Sequence, residues 1–117
     1  MTDRELLELS AKAAGIELRW HPDGTAYSDS RCKGYWGVWN PLTDDGDALR
    51  LAVKLAESAP GTHFTLSISK IHDGRGFADA GFFSHINPTE QVVGLDLAAA
   101  TRRAIVRAAA EIGRAME

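Results

Sequence analysis

The sequence predicts a single α+β domain over residues 1–117, with three helices packed on a mostly antiparallel sheet of five strands. Three observations lead to this fold class. Apolar residues recur at helical spacing near both ends, the segment 62–70 alternates apolar and polar residues as a strand does, and glycine- or proline-bearing turns separate the strand segments. The predicted order is α-β-β-β-α-β-β-α, and the alternative is a three-layer α-β-α sandwich.

The three helices are predicted over about 3–14, 45–58 and 97–116. Thr2 and Glu5 fit the capping-box pattern before the first helix, since each side chain can accept from a free N–H group of the other residue. Each helix carries an apolar stripe beside charged positions, which is typical of helices that pack on one side.

The second helix begins in a stretch that changes from strand to helix within a few residues. The residue before Pro41 is disfavoured in the α region, so the preceding strand ends at Asn40. Thr43 and Asp44 can then accept from the free N–H groups of the helix. Charged residues crowd into one arc of this helix, and apolar residues occupy the rest. We interpret this as contact on two sides within one chain, or alternatively as an interface with a partner or with a second copy in a homodimer.

The strands are predicted in two groups. Segments 16–20, 25–28 and 35–39 are expected to form a meander, and 62–70 with 77–83 a hairpin, whereas 84–94 is expected to be a loop.

Composition excludes several classes of function. The net charge is −3, which argues against direct nucleic-acid binding, because such proteins carry a basic excess. Cys32 is the only cysteine, so no internal disulfide forms and a reducing cytoplasm is expected. No apolar run approaches the roughly 20 residues that span a membrane, and the N-terminus has no signal-peptide pattern.

No residues form a recognisable catalytic or metal-binding motif. The four histidines lack close metal-ligand spacing, although His72 and His85 could meet across the predicted hairpin. Ser and Cys side chains lack an evident activating base. We therefore predict no enzyme activity, no metal and no cofactor.

One group of aromatic residues, interrupted by cations, is denser than the rest of the chain. Trp, Tyr and Arg are common anchors of protein interfaces, and aromatic rings also stack on bases. We predict core packing for most of these aromatic residues and a recognition patch for the others. The candidate binding residues are Trp20, Arg31, Lys33, Tyr35, Trp36 and Arg75.

Three segments resemble a known family. WNPLTDDGDALRLAVKL at 39–55, RRAIVRAAAEIGRAM at 102–116 and ELLELSAKAAGI at 5–16 are similar to the small phage and prophage proteins grouped as phage ABA-sandwich domain proteins. The resemblance implies a tailed-phage or prophage origin and helices on both sides of a sheet. It implies no settled activity and brings no catalytic motif.

Together these features predict a small phage accessory protein that acts in the host cytoplasm by stoichiometric binding. The expected partner is a host protein, such as a component of CRISPR interference or another antiviral defence. A nucleotide-sequestering binder and a self-associating phage structural component are the alternatives, and an enzyme ranks below them.

Overall fold

The chain is described by a computed structural model over residues 2–57, 63–70, 76–83, 89–94 and 96–116. Within these ranges lie three helices and six strands. They are α1 (Asp3–Ala14), β1 (Arg19–Trp20), β2 (Ala26–Ser28), β3 (Gly37–Val38), α2 (Asp45–Glu57), β4 (His63–Lys70), β5 (Gly76–Phe83), β6 (Thr89–Gly94) and α3 (Leu97–Ala115).

The strands form two separate antiparallel sheets, so the predicted single five-stranded sheet is wrong. The small sheet has the order β1-β2-β3 and the large sheet the order β4-β5-β6. The α+β class is confirmed. The three-layer alternative is also wrong, because the described helix contacts fall on the face of the large sheet where Ala78 and Ala80 are buried, whereas Thr65 and Ser67 on the other face are exposed.

The sixth strand, β6, lies within the segment predicted as a loop. The segment contains Asn87-Pro88, but β6 begins directly after the proline, which therefore breaks no ladder bond of this strand. The strand then alternates apolar environments, since Val92 packs against the core and Val93 is exposed. The predicted loop is therefore wrong over residues 89–94.

The strands of the small sheet are shorter than predicted because their flanking apolar residues turn into the core. β1 and β3 contain two residues each. Ile16 and Leu18 pack against the core before β1, and Trp39 is buried directly after β3. The meander order of β1, β2 and β3 is confirmed, but tertiary packing limits the length of its strands.

Helix α3 is the centre of the fold. It contacts α1, α2 and all three strands of the large sheet. Most of its buried positions are small, including Ala104, Ala108, Ala109 and Gly113, although Val106 is fully buried as well. Small side chains let neighbouring backbones approach closely, so α3 can be packed on several sides without cavities.

Thr2 and Asp44 cap their helices as predicted, whereas the hydroxyl of Thr43, the other predicted cap of α2, donates to the Asn40 carbonyl at 3.5 Å instead. The Thr2 hydroxyl accepts from the Glu5 N–H at 3.1 Å, and the Asp44 carboxylate accepts from the Asp47 N–H at 2.8 Å. The Asp96 carboxylate accepts from the Ala99 N–H at 3.1 Å. These bonds satisfy donors that have no partner inside the helix, which fixes where each helix begins. None of the described helices is long and apolar enough to cross a membrane.

Replacing Gly113 with alanine should destabilise the fold. A Cβ atom at this position would overlap the backbone carbonyl of Leu9 in α1, so the two helices would have to separate. We expect a loss of about 1–3 kcal/mol in the free energy of unfolding from overpacking, despite the helix propensity of alanine, which exceeds that of glycine by about 1 kcal/mol.

Urea unfolding followed by circular dichroism measures this loss. The matched control is Gly37→Ala, because nothing lies within 4 Å of a Cβ built there. Equal stability of the two variants would contradict the close approach of α1 and α3.

Candidate functional site

The small sheet presents aromatic and cationic side chains on its outer surface. Its register pairs Arg19 with Tyr27 and Tyr27 with Val38. Because side chains alternate along a strand, these three residues share one face, whereas the buried Ala26 and Ser28 belong to the inner face. We call this surface the aromatic face, and it consists of Arg19, His21, Tyr27, Trp36 and Val38, with the exposed Tyr35 next to Trp36 in the chain.

Two ring contacts arrange the aromatic face. The guanidinium carbon of Arg19 lies 3.8 Å from the centre of the Trp36 ring, which is cation–π geometry. The rings of His21 and Tyr27 are 4.2 Å apart and tilted by 36°. These contacts hold the rings in position before any partner arrives, which lowers the ordering cost of binding.

A tight turn joins β1 to β2 and supports this arrangement. The His21 carbonyl accepts from the Gly24 N–H at 2.9 Å, and Gly24 has a φ of 88°, where glycine is strongly favoured. The Asp23 carboxylate accepts from the Thr25 N–H at 2.9 Å. The hydrogen bonds from Thr25 lower the pKa of Asp23, so this turn contact persists at neutral pH.

The aromatic face exposes large apolar side chains. Tyr35 is 76% exposed and Val38 is 54% exposed, whereas Trp36 is half-buried beneath Arg19. Exposed Tyr and half-buried Trp side chains such as these often anchor protein interfaces.

The candidate residues predicted from sequence do not all lie on this face. Trp20 points to the core side of the small sheet, where it is half-buried with the Arg4 guanidinium 4.3 Å from its ring centre. Lys33 is exposed in the loop that precedes Tyr35 and Trp36. Arg75 lies outside the described residues. Of the candidates, Trp36 lies on the aromatic face, and Tyr35 and Lys33 are close to it along the chain.

Arg31, a further candidate, is held in an ionic network at the start of α2. Its guanidinium donates to Asp44 at 3.2 Å and to Asp47 at 3.1 Å. The Asp47 side chain is only 2% exposed, and it also accepts from Arg50 at 2.8 Å and from the Asn40 N–H at 3.0 Å. A buried carboxylate needs such partners, because an uncompensated charge in the interior is costly.

This network ties the loop of the aromatic face to α2. Arg31 belongs to the turn region 29–34, in which Asp29 accepts from the Gly34 N–H at 3.2 Å. The Cys32 carbonyl accepts from the Tyr35 N–H at 2.9 Å. Arg31 thus positions Tyr35 and Trp36 indirectly, and its charge is already engaged by carboxylates.

Sequence reasoning missed a second surface, an apolar groove of about 530 Å³ beside β4. Strand β4 supplies Leu66 and Ile68, while α2 and α3 form the walls. We call this surface the apolar groove; its lining residues include Leu49, Ala52, Leu66, Ile68, Leu97 and Ile105. The alternation in β4 did predict that Leu66 and Ile68 share a face, but only the tertiary arrangement shows that the helices leave this face partly open.

Helix α2 also has an exposed apolar ridge next to the groove. Leu49 and Val53, one turn apart, are both exposed, and they line a second hollow of about 470 Å³ on the side of α2 that faces Ile16 and Trp39. The two sides of this helix that were expected to be in contact are therefore only partly covered within one chain.

Among the described residues, no group of three or more His, Cys, Asp or Glu side chains is arranged to hold a metal ion. His72 and His85, which could have met across the hairpin, lie outside the described residues.

Comparison with family models, curated proteins and solved structures found no match to this chain. The resemblance to phage ABA-sandwich domain proteins therefore stays a prediction. The fold and its surfaces define the chain as an α+β protein with an aromatic face and an apolar groove.

Removing the buried carboxylate of Asp47 should lower the stability of the fold. Asp47→Ala leaves the Asn40 N–H without its acceptor and separates two guanidinium groups from their shared partner. We expect a loss of about 1–3 kcal/mol in the free energy of unfolding, the usual cost of a buried hydrogen-bonding group left unpaired.

Urea unfolding tests this against Asp45→Ala. The Asp45 side chain is 81% exposed and pairs with Arg102 at 2.6 Å, so its removal should cost less than about 1 kcal/mol. If both variants lose the same stability, the Asp47 network stabilises the fold no more than an exposed ion pair does.

Proposed function

We propose that this chain is a non-catalytic accessory protein that binds a partner protein stoichiometrically through the aromatic face. The observation that supports this most directly is the prearranged pair of Arg19 and Trp36 beside the exposed Tyr35 and Val38. Arg, Trp and Tyr supply much of the energy at protein interfaces, and rings fixed in advance lose little entropy on binding.

The arrangement of cations favours a protein partner over a nucleotide. In a nucleotide-sequestering binder, the candidate residues Arg31 and Arg75 would supply the phosphate contacts. Arg31 donates to Asp44 and Asp47 instead, and Arg19 already lies over the Trp36 ring on which a base would stack. A nucleotide would have to displace these internal contacts, whereas a protein surface can pack on the outside of the pair.

The resemblance to phage ABA-sandwich domain proteins supplies the proposed class of partner and the proposed host-cytoplasmic location. A host protein of an antiviral defence system, such as a CRISPR interference component, is the first partner to test. The acidic balance of the chain, with a net charge of −3, is compatible with a basic site on a nucleic-acid-handling protein.

A charge placed in the aromatic face should abolish partner capture. Val38→Lys introduces a cation opposite Tyr27 and removes an exposed apolar contact, and we expect capture of the partner to fall by at least about tenfold. The measurement is a tagged pull-down from host lysate, with mass spectrometry to identify the partner and its stoichiometry.

The matched control is Val93→Lys. Val93 is 53% exposed and lies in the large sheet, whereas Val38 is 54% exposed and lies in the small sheet. The two variants therefore make the same substitution at similar exposure, on different sheets. Circular dichroism should show both variants folded. The proposal fails if no near-equimolar protein is captured by the wild type, or if both variants capture it equally.

A further inference from the structure

Two arginines of the described chain lie over tryptophan rings, and they differ in whether a carboxylate completes the contact. The Arg4 guanidinium lies 4.3 Å from the centre of the Trp20 ring, and its Nε donates to the Glu8 carboxylate at 3.0 Å. The Arg19 guanidinium lies 3.8 Å from the centre of the Trp36 ring. Within the ranges that the structure describes, however, the Arg19 side chain donates to no carboxylate, carbonyl or hydroxyl group.

The lack of a carboxylate at Arg19 sets it apart from most arginines of this chain. Those that pair with an aspartate or glutamate within the described residues are Arg4, Arg31, Arg50, Arg102, Arg103 and Arg114. A guanidinium carries five N–H donors in its plane, and a ring below it covers the face of the group rather than these edges. Arg19 is exposed, so its donors are open to a group from outside.

The acidic residues nearest to Arg19 along the chain do not supply the missing group. Glu17 is exposed and forms no ion pair with Arg19 in the described structure. The Asp23 carboxylate accepts from the Thr25 N–H at 2.9 Å, which holds it in the turn between β1 and β2. The position beside Arg19 is therefore open to a carboxylate of another molecule.

We propose that the partner supplies this carboxylate, from an aspartate or glutamate that accepts two hydrogen bonds from Arg19 in the plane of the guanidinium. This inference rests on the proposed function, because it names the chemistry of the group that the aromatic face binds. Planar, bidentate pairs of this kind are among the stronger hydrogen-bonded contacts in proteins. Since the Trp36 ring already orients Arg19, less side-chain freedom is lost when the carboxylate docks.

An apolar group is expected near the partner's carboxylate. Arg19, Tyr27 and Val38 form one row across the three strands of the small sheet. Neighbouring strands are about 4.8 Å apart, so the backbone positions of Arg19 and Val38 are separated by roughly 10 Å. Because Val38 is exposed, an apolar side chain of the partner can pack on it while the carboxylate binds Arg19.

The charges of the aromatic face favour a carboxylate over a phosphate group. Proteins usually bind phosphorylated segments with clusters of arginines, whereas Arg19 is the one arginine of the aromatic face. Arg31 in the neighbouring loop donates to Asp44 and Asp47. One carboxylate at Arg19 is also compatible with a partner that is basic elsewhere, because the chain as a whole has a net charge of −3.

Arg19→Gln tests the contact in the tagged pull-down with the full chain. This variant keeps a polar side chain but loses the charge and the paired donors, and we expect capture of the partner to fall by at least about tenfold. Arg19→Lys should restore only part of the capture, because an ammonium group lacks the planar pair of donors. The matched control is Arg4→Gln, which changes the pair whose carboxylate lies within the chain and should leave capture unchanged.

Titration followed by NMR tests the same contact without an identified partner. The probe is the blocked dipeptide acetyl-Leu-Glu-amide, and acetyl-Leu-Gln-amide is its uncharged control. Each is added to about 50 mM at constant ionic strength, which nearly saturates a millimolar site. We expect the glutamate peptide to shift the Trp36 indole N–H resonance, which is assigned by its loss in Trp36→Phe. Binding should be at least about fivefold weaker for the glutamine peptide and for Arg19→Gln.

The two experiments separate this inference from the proposed function. A partner that Arg19→Gln captures as well as the wild type does overturns the inference and leaves the proposed function standing. Equal binding of both peptides, or binding of neither, overturns the inference as well, and so does inorganic phosphate that binds more tightly than the glutamate peptide. If the wild type captures no partner, the proposed function fails, and the peptide titration alone decides whether Arg19 binds a carboxylate.

Discussion

The close approach of α1 to α3 is the constraint on which the rest of the packing depends. Gly113 lies against the backbone of Leu9, and the neighbouring buried positions of α3 are nearly all alanine. Because α3 is narrow on these sides, it can contact α1, α2 and the large sheet together. A bulkier α3 would push at least one of these elements away, and the apolar groove would change shape because Leu97 and Ile105 of α3 line it.

A second constraint links the small sheet to the helices. Asp47 is buried at the first turn of α2 and accepts from Arg31, Arg50 and the Asn40 backbone. A carboxylate at a helix N-terminus also interacts favourably with the helix dipole. The small sheet has short strands and little ladder bonding of its own. Its aromatic face is therefore held mainly by this network and by the burial of Trp39.

Local signals in the sequence predicted the helices and the capping roles of Thr2 and Asp44, because these depend on periodicity and on neighbouring residues. The division into two sheets could not be predicted in this way, since no local signal shows whether the meander and the hairpin join into one sheet. Arg31 was predicted as a binding residue because it interrupts aromatic residues, but the carboxylates that engage it follow it by 13 and 16 positions. The groove combines residues from α2, β4 and α3, and for the same reason no single segment indicated it.

Helix α2 links the aromatic face to the apolar groove, and its packing in the core keeps the two surfaces in a fixed arrangement. Asp47 holds the loop of the aromatic face, and Leu49, two residues later, lines the groove. Between and beside them Ala48, Leu51 and Ala52 are buried in the core, so α2 cannot shift at one surface without repacking the interior.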